Sequence, residues 1–153
     1  MNLRNASIRP TVLAILVPAV AILGALQFGC STVKSWGTSP TSMTSASDVP
    51  ASEGTVKATA GDNGNTRLAI RVKHLAPAYK VQTDATVYVV WLQQPNQPLQ
   101  NIGALTLSDS LVGSLDTESP YRRFTISITP EPGQQGQQPT HPPVFTADVN
   151  RHD

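Results

Sequence analysis

The sequence predicts an all-β fold, an antiparallel immunoglobulin-like β-sandwich of about seven strands over residues 54–150. Three observations predict it. Several stretches alternate apolar and polar residues with a period of two, the pattern of a half-buried antiparallel strand. Thirteen prolines and ten glycines divide the chain into short segments, with turn signals spaced about 8–12 residues apart. No amphipathic helical pattern of useful length stands between them. Strands of this kind bury their apolar sides most simply between two packed sheets.

Gly54-Thr-Val-Lys-Ala-Thr-Ala60 alternates, and Gly61-Asp-Asn-Gly-Asn65 supplies hairpin-turn chemistry. Thr66 to His74 is the clearest strand. Leu68, Ile70 and Val72 point one way, and Arg67, Arg71 and Lys73 the other. Ala76 to Asp84, containing Pro77, is a loop. Ala85-Thr-Val-Tyr-Val-Val-Trp-Leu92 is β-branched, aromatic and apolar on both faces, as suits a central strand beneath a loop or partner sheet. Pro95-Asn-Gln-Pro98 breaks it. Ile102 to Leu107 and Leu111 to Leu115 read as two more strands, separated by Ser108-Asp-Ser110. Tyr121 to Thr129 alternates again, with Phe124, Ile126 and Ile128 inward and Thr125, Ser127 and Thr129 outward. Pro130 to Pro143 is a long Pro/Gln/Gly loop, and Val144 to Val149 is a last strand. The expected core is Val56, Leu68, Ile70, Val72, Val87, Val89, Trp91, Ile102, Leu105, Phe124, Ile126 and Ile128.

The chain upstream has a different character. Residues 1–10 carry Arg4 and Arg9 and no acid, and Thr11 to Leu26 holds no charge at all. A basic start, an apolar run and a small residue before a cut point make an export signal. The basic end stays in the cytoplasm, so the rest is exported. Leu26-Gln-Phe-Gly-Cys30-Ser31 follows. Residues 1–31 resemble a bacterial lipoprotein signal, in which a small residue, here Gly29, precedes the acylated cysteine. Gln27 departs from the large aliphatic usual three residues before it. The resemblance implies removal of residues 1–29 and acylation of Cys30 on sulfur and amine. Ser31 resembles the residue that follows in outer-membrane lipoproteins. The membrane would then be a partner through acyl chains on Cys30. Stable anchoring needs at least two such chains, at about 0.8 kcal/mol per buried methylene. An uncleaved transmembrane anchor and ordinary cleavage remain the competing readings, because the apolar run approaches the roughly 20 residues that span a bilayer.

Residues 30–53 are rich in serine and threonine and lack apolar periodicity, so they predict a flexible tether. Trp36 is the exception, suited either to a membrane interface or to plain exposure.

Composition narrows the function. Charged residues make up 14% of the chain and the formal net charge is +1. That balance leaves no electrostatic footprint for nucleic acid. The single cysteine excludes an intramolecular disulfide. The histidines, His74, His141 and His152, lie far apart in sequence, and no Gly-x-Ser-x-Gly elbow occurs. No catalytic residue is assigned, and hence no enzyme. Neither His-x-x-x-His nor paired cysteines suggest a metal, and Asp62, Asn63 and Asn65 read as a hairpin turn rather than a calcium loop. No cofactor is expected. Lys57, Arg67, Arg71 and Lys73 form a small basic stripe, a candidate binding surface for an envelope polymer or protein. An ordinary solvated face that discourages edge pairing is the competing reading, and Arg122-Arg123 is read the same way. The loop Pro130 to Pro143 is either a recognition loop or a plain connection.

Four segments occur in a familiar order: Tyr88-Val-Val-Trp91-Leu92, Ile102-Gly-Ala-Leu105, Phe124-Thr-Ile-Ser-Ile-Thr129 with Glu131-Pro132-Gly133, and Pro139-Thr140 with Pro143-Val144. Over residues 54–149 the chain resembles the extracytoplasmic C-terminal domain of anti-sigma-K-type factors and related envelope lipoproteins. That resemblance implies a β-sandwich outside the membrane. It departs from the family at the N-terminus, where about ten residues precede the apolar run and leave no room for a sigma-binding region. His141 stands where glycine is usual. The expectation is a lipid-anchored, non-catalytic envelope protein, outside the cytoplasm and facing the periplasm from the outer membrane. Its sandwich would bind protein or envelope polymer. The alternative is an extracytoplasmic sensor domain working with a separate transmembrane, anti-sigma-like partner.

Overall fold

The structure is a computed structural model, and residues 39–152 are described. The leader, Cys30, Ser31 and Trp36 lie outside the described residues. Alternation builds the centre of one sheet: Thr66–Lys73 (β4) turns Leu68, Ile70 and Val72 inward and pairs along its length with Glu53–Ala60 (β3). The hairpin closes through the backbone N–H of Gly61 donating to Asn65 O at 2.7 Å, with Gly64 at φ 81°. That left-handed conformation favours glycine. On its other side β4 pairs with Gly113–Ser119 (β8), which pairs in turn with Thr106–Leu107 (β7). The second sheet is built on Val87–Gln93 (β5), flanked by Gln100–Ala104 (β6) and Arg123–Glu131 (β9), with Phe145–Asn150 (β10) beyond β9. One short helix, Ala78–Val81 (α1), follows β4.

The chain lays its strands down in pairs that alternate between sheets: β3 and β4, then β5 and β6, then β7 and β8, then β9 and β10. This is an antiparallel sandwich with immunoglobulin-like Greek-key order. Val56, Leu68, Ile70 and Val72 from one sheet meet Phe124, Ile126, Ile128 and Phe145 from the other.

The structure corrects four expectations. First, the sandwich starts before residue 54. Thr41–Ser42 (β1) pairs with β3, and Thr44–Ser45 (β2) pairs with β10, so the two strands extend both sheets to five. Met43 and Val49 are buried in the core. Polar side chains suffice here because a ladder of backbone bonds needs no apolar partner.

Second, Ile102 to Leu107 is two strands. The chain leaves one sheet for the other at Leu105, whose N–H donates to Tyr88 O at 2.9 Å, just after Gly103 at φ 131°. Third, the strand expected at Leu111 to Leu115 starts at Gly113 and runs on to Ser119, following β4 along its length. Leu111, at φ 60°, and Val112 lie in or beside the preceding turn and stay exposed.

Fourth, the inward side of β5 is Tyr88, Val90 and Leu92, not Val87, Val89 and Trp91. Val89 and Trp91 are fully buried, but on the outer side of their sheet. Ile102 packs against the core only in part.

Candidate functional site

Each sheet presents one outer face, and the two are made of different chemistry. On the first sheet, the residues expected as a basic stripe do share a face. Acidic residues from β8, however, stand among them. Arg67 lies directly across from Glu118 and contacts it through Nε at 3.3 Å, while its Nη2 reaches Asp62 at 2.9 Å. Hydrogen bonds to Asp62 and then to Glu118 hold the Arg67 guanidinium above its ordinary range. Asn63 donates to Glu118 at 3.2 Å. That bond and the one from Arg67 hold the Glu118 carboxyl below the usual carboxylate range.

Arg71 grips both oxygens of Asp116 at 2.7 and 2.8 Å and donates to Ile70 O at 2.8 Å. Lys73 lies across from Glu53, and Lys57 lies across from Ala69. The face is therefore a ladder of opposite charges, and its attraction for a polyanion is largely spent internally. Sequence reading ended the eighth strand too early to place Asp116 and Glu118 among the arginines.

The outer face of the second sheet has two halves. Cross-strand register sets its rows: Val89 with Thr129, Trp91 with Ser127 and Thr146, Gln93 with Thr125 and Asp148, and Arg123 with Asn150. The upper half is roofed by the loop after β9. A Cβ added at Gly136 would sit 3.6 Å from the Trp91 ring, so the loop lies directly on the indole. Asn101 holds this part of the loop by donating to Gln134 O at 2.8 Å and Gly136 O at 3.0 Å.

A chain of polar contacts fastens the far end. Trp91 Nε1 donates to Thr129 Oγ1 at 2.8 Å, and Thr129 donates to Glu131 Oε1 at 2.5 Å. The Glu131 carboxylate, buried at 2% exposure, also accepts the Thr140 N–H at 3.0 Å and its hydroxyl at 2.5 Å. Thr140 Oγ1 meets His141 Nδ1 at 3.0 Å, and His141 Nε2 meets Asp84 at 3.1 Å.

Thr140, His141 and Asp84 thus stand in the contact order of a nucleophile, a base and an orienting acid. The Thr140 hydroxyl donates to Glu131, however, and its proton is not offered to the imidazole. The contacts instead form a clasp that keeps Trp91 dry. The loop itself stays exposed to solvent over residues 132–138 but is pinned at both ends, and the residues that hold it, Glu131 and Thr140, carry no signal of that role in sequence. The one hint was the apolar character of β5 on both faces, which required a cover. His74 follows β4 and His152 follows β10, and neither takes part.

Below the roof the same face is open. A groove of about 460 Å³ runs beside the turn after β5. Gln93, Gln94, Asn96, Arg123, Asp148 and Asn150 line it. Thr125 donates to Asp148 at 2.7 Å and fixes the carboxylate. The turn closes through the Gln97 N–H donating to Gln94 O at 3.2 Å, with Asn96 at φ 60°, a conformation asparagine tolerates. Among the described residues no three His, Cys, Asp or Glu side chains are placed to hold a metal ion. No protein-family model matches the chain, and neither a curated protein nor a solved structure shows significant similarity to it.

Proposed function

We propose that this chain is a lipid-anchored, non-catalytic protein of the bacterial cell envelope, held on the extracytoplasmic side through acyl chains on Cys30. Its sandwich serves as an interaction module for an envelope protein or polymer. The observation that carries the interaction reading is the division of one outer face. Half is sealed by a clasped loop, and the other half is left as an open groove with hydrogen-bonding side chains pointing outward. On the other sheet's outer face, by contrast, Arg67 and Arg71 are already paired with carboxylates.

The anchor rests on the basic leader, the apolar run and the lone cysteine after Gly29. Only residues 31–40 separate Cys30 from β1, a reach of at most about 35 Å. Radiolabelled palmitate should enter the protein in cells and be lost in Cys30→Ala, and absence of label defeats the anchor. A photo-crosslinking residue at position 96 should trap envelope material in intact cells, whereas one at position 59, on the charged face, should not. Adducts from position 59 alone, or from neither, defeat the assignment of the interaction face.

A further inference from the structure

We infer that the open groove binds an uncharged glycan chain, a proposal that rests on the reading of this face as the interaction surface and names its ligand. The lining residues favour this class by their chemistry. Gln93, Gln94, Asn96 and Asn150 each present a planar amide with two N–H donors and a carbonyl acceptor. Vicinal hydroxyls and acetamido groups of sugars offer the same mixture of donors and acceptors at short spacing. Arg123 forms no ion pair among the described residues. It adds a fork of donors beside the carboxylate of Asp148, which Thr125 already holds in place.

The two charges balance, so the groove offers no net attraction to a polyanion or a polycation. A single carboxylate is too few for a divalent cation. Pro95, Phe124 and Val149 also line the groove, but Phe124 and Val149 are buried, and the exposed large apolar side chains, Tyr79, Leu111 and Val112, lie outside it, so an apolar helix meets no protruding anchor there. The volume falls within the range of small-ligand clefts. Strands β5, β9 and β10 and a closed turn hold the lining side chains in position, so binding orders little new structure. With no exposed aromatic ring to stack on, affinity for one chain end is weak. Tethering many copies to one surface compensates by multivalency.

An extended peptide is the competing occupant, because β10 pairs with β2 only at Phe145 and Thr146 and, among the described residues, the outer edge of residues 147–150 has no strand partner. The two occupants touch different atoms. A glycan engages side-chain amides on the face, whereas a peptide strand engages backbone N–H groups at the edge.

The test is a titration of the isotopically labelled full chain in detergent micelles, followed by nuclear magnetic resonance. The probes are a β-1,4-linked N-acetylglucosamine hexamer, an oligogalacturonate and an unstructured neutral peptide. The expected result is saturable movement of the side-chain amide signals of Gln93, Asn96 and Asn150 with the hexamer. A Gln93→Ala, Asn150→Ala double variant should weaken binding roughly tenfold or more, with core signals unmoved. Lys57→Ala should leave it unchanged. Movement with the uronate alone, movement of backbone signals 147–150 with the peptide alone, or no movement with any probe each overturns the glycan assignment. Palmitate labelling and crosslinking at position 96 report separately on the anchored-module reading, so its failure is distinguishable from this one.

Discussion

On the outer face of the first sheet, Arg67 and Arg71 stand in water and meet carboxylates from the adjoining strand. On the outer face of the second, Val89 and Trp91 are fully buried, and over the indole the chain folds back and is fastened by Glu131. The first arrangement needs only register. Residues at alternate positions of β4 and β8 come to lie side by side, and each pair contributes little to stability. The second needs a long-range closure. It removes an indole from water, and every polar atom drawn in with it must then find a partner. The difference teaches where this fold is sensitive: a charged side chain on the first face is replaceable, and an apolar one on the second is not.

The sharpest way to break that contrast is to remove the indole. Trp91→Ala should cost about 3–5 kcal/mol, a large part of the stability of a small domain. The check is a denaturant midpoint measured beside that of Arg71→Ala. Similar losses in both would mean that the loop is not a seal. Next in size is the clasp. Glu131→Ala leaves the Thr129 hydroxyl, the Thr140 N–H and the Thr140 hydroxyl without their acceptor. The expected loss is about 3 kcal/mol. In a Trp36→Phe background, where Trp91 is the only remaining tryptophan, the fluorescence should shift to the red and become open to quencher. Unchanged emission would show that the roof stays closed without the carboxylate.

These two faces also mark how far the sequence is legible. Alternation places β4 and β9 correctly, because each has one apolar and one polar side and only one parity can face the core. It fails on β5, where both parities are apolar. Which of them meets the other sheet depends on a loop about 40 residues further on, and no local pattern encodes that. Glu131 reads as part of a turn for the same reason, since its partner Thr140 sits nine residues away across the loop. The early serines and threonines read as tether because β1 and β2 join the sheets through backbone bonds, to which side-chain periodicity is blind. The basic stripe was placed on the right face, but its neutralisation depends on register with β8, which the sequence does not print. That the groove residues are polar is legible in the sequence. Their convergence is not, because it follows from the pairing of β5, β9 and β10.

The two sides of β5 sharpen the comparison through pH. Tyr88, the inward neighbour of Val89, donates its hydroxyl to Ala76 O at 2.7 Å, and burial pushes it up to about 12. An unfolded tyrosine ionises near 10, so the fold favours the neutral form. Its contribution is intact below pH 10 and is lost as pH rises from 10 through 12, by about 2–3 kcal/mol at the top of that window. Tyr88→Phe should flatten this slope while costing about 1 kcal/mol at neutral pH, where the Ala76 carbonyl loses its donor. Parallel urea midpoints at pH 8 and pH 11 for the two proteins read both effects. An identical alkaline loss in the two would place the titration elsewhere.

The smallest effect is expected on the charged face, and there the informative variable is salt. Arg71 holds Asp116 with two short bonds, yet both side chains remain in contact with solvent. Pairs so placed contribute less than about 1 kcal/mol, and ions at 1 M screen charges over about 3 Å. Arg71→Ala should therefore lower the denaturant midpoint slightly at low ionic strength. The difference from the parent protein should shrink as sodium chloride is raised. The guanidinium also donates to Ile70 O and Leu115 O, so the part of the loss that survives high salt reports those backbone bonds. Arg71→Lys, which keeps the charge but not the fork, separates the two parts: it should recover the salt-dependent share and leave the salt-independent one. A large loss that salt does not touch would mean that this face, too, is locked by packing, and the contrast between the two sides of the sandwich would fail.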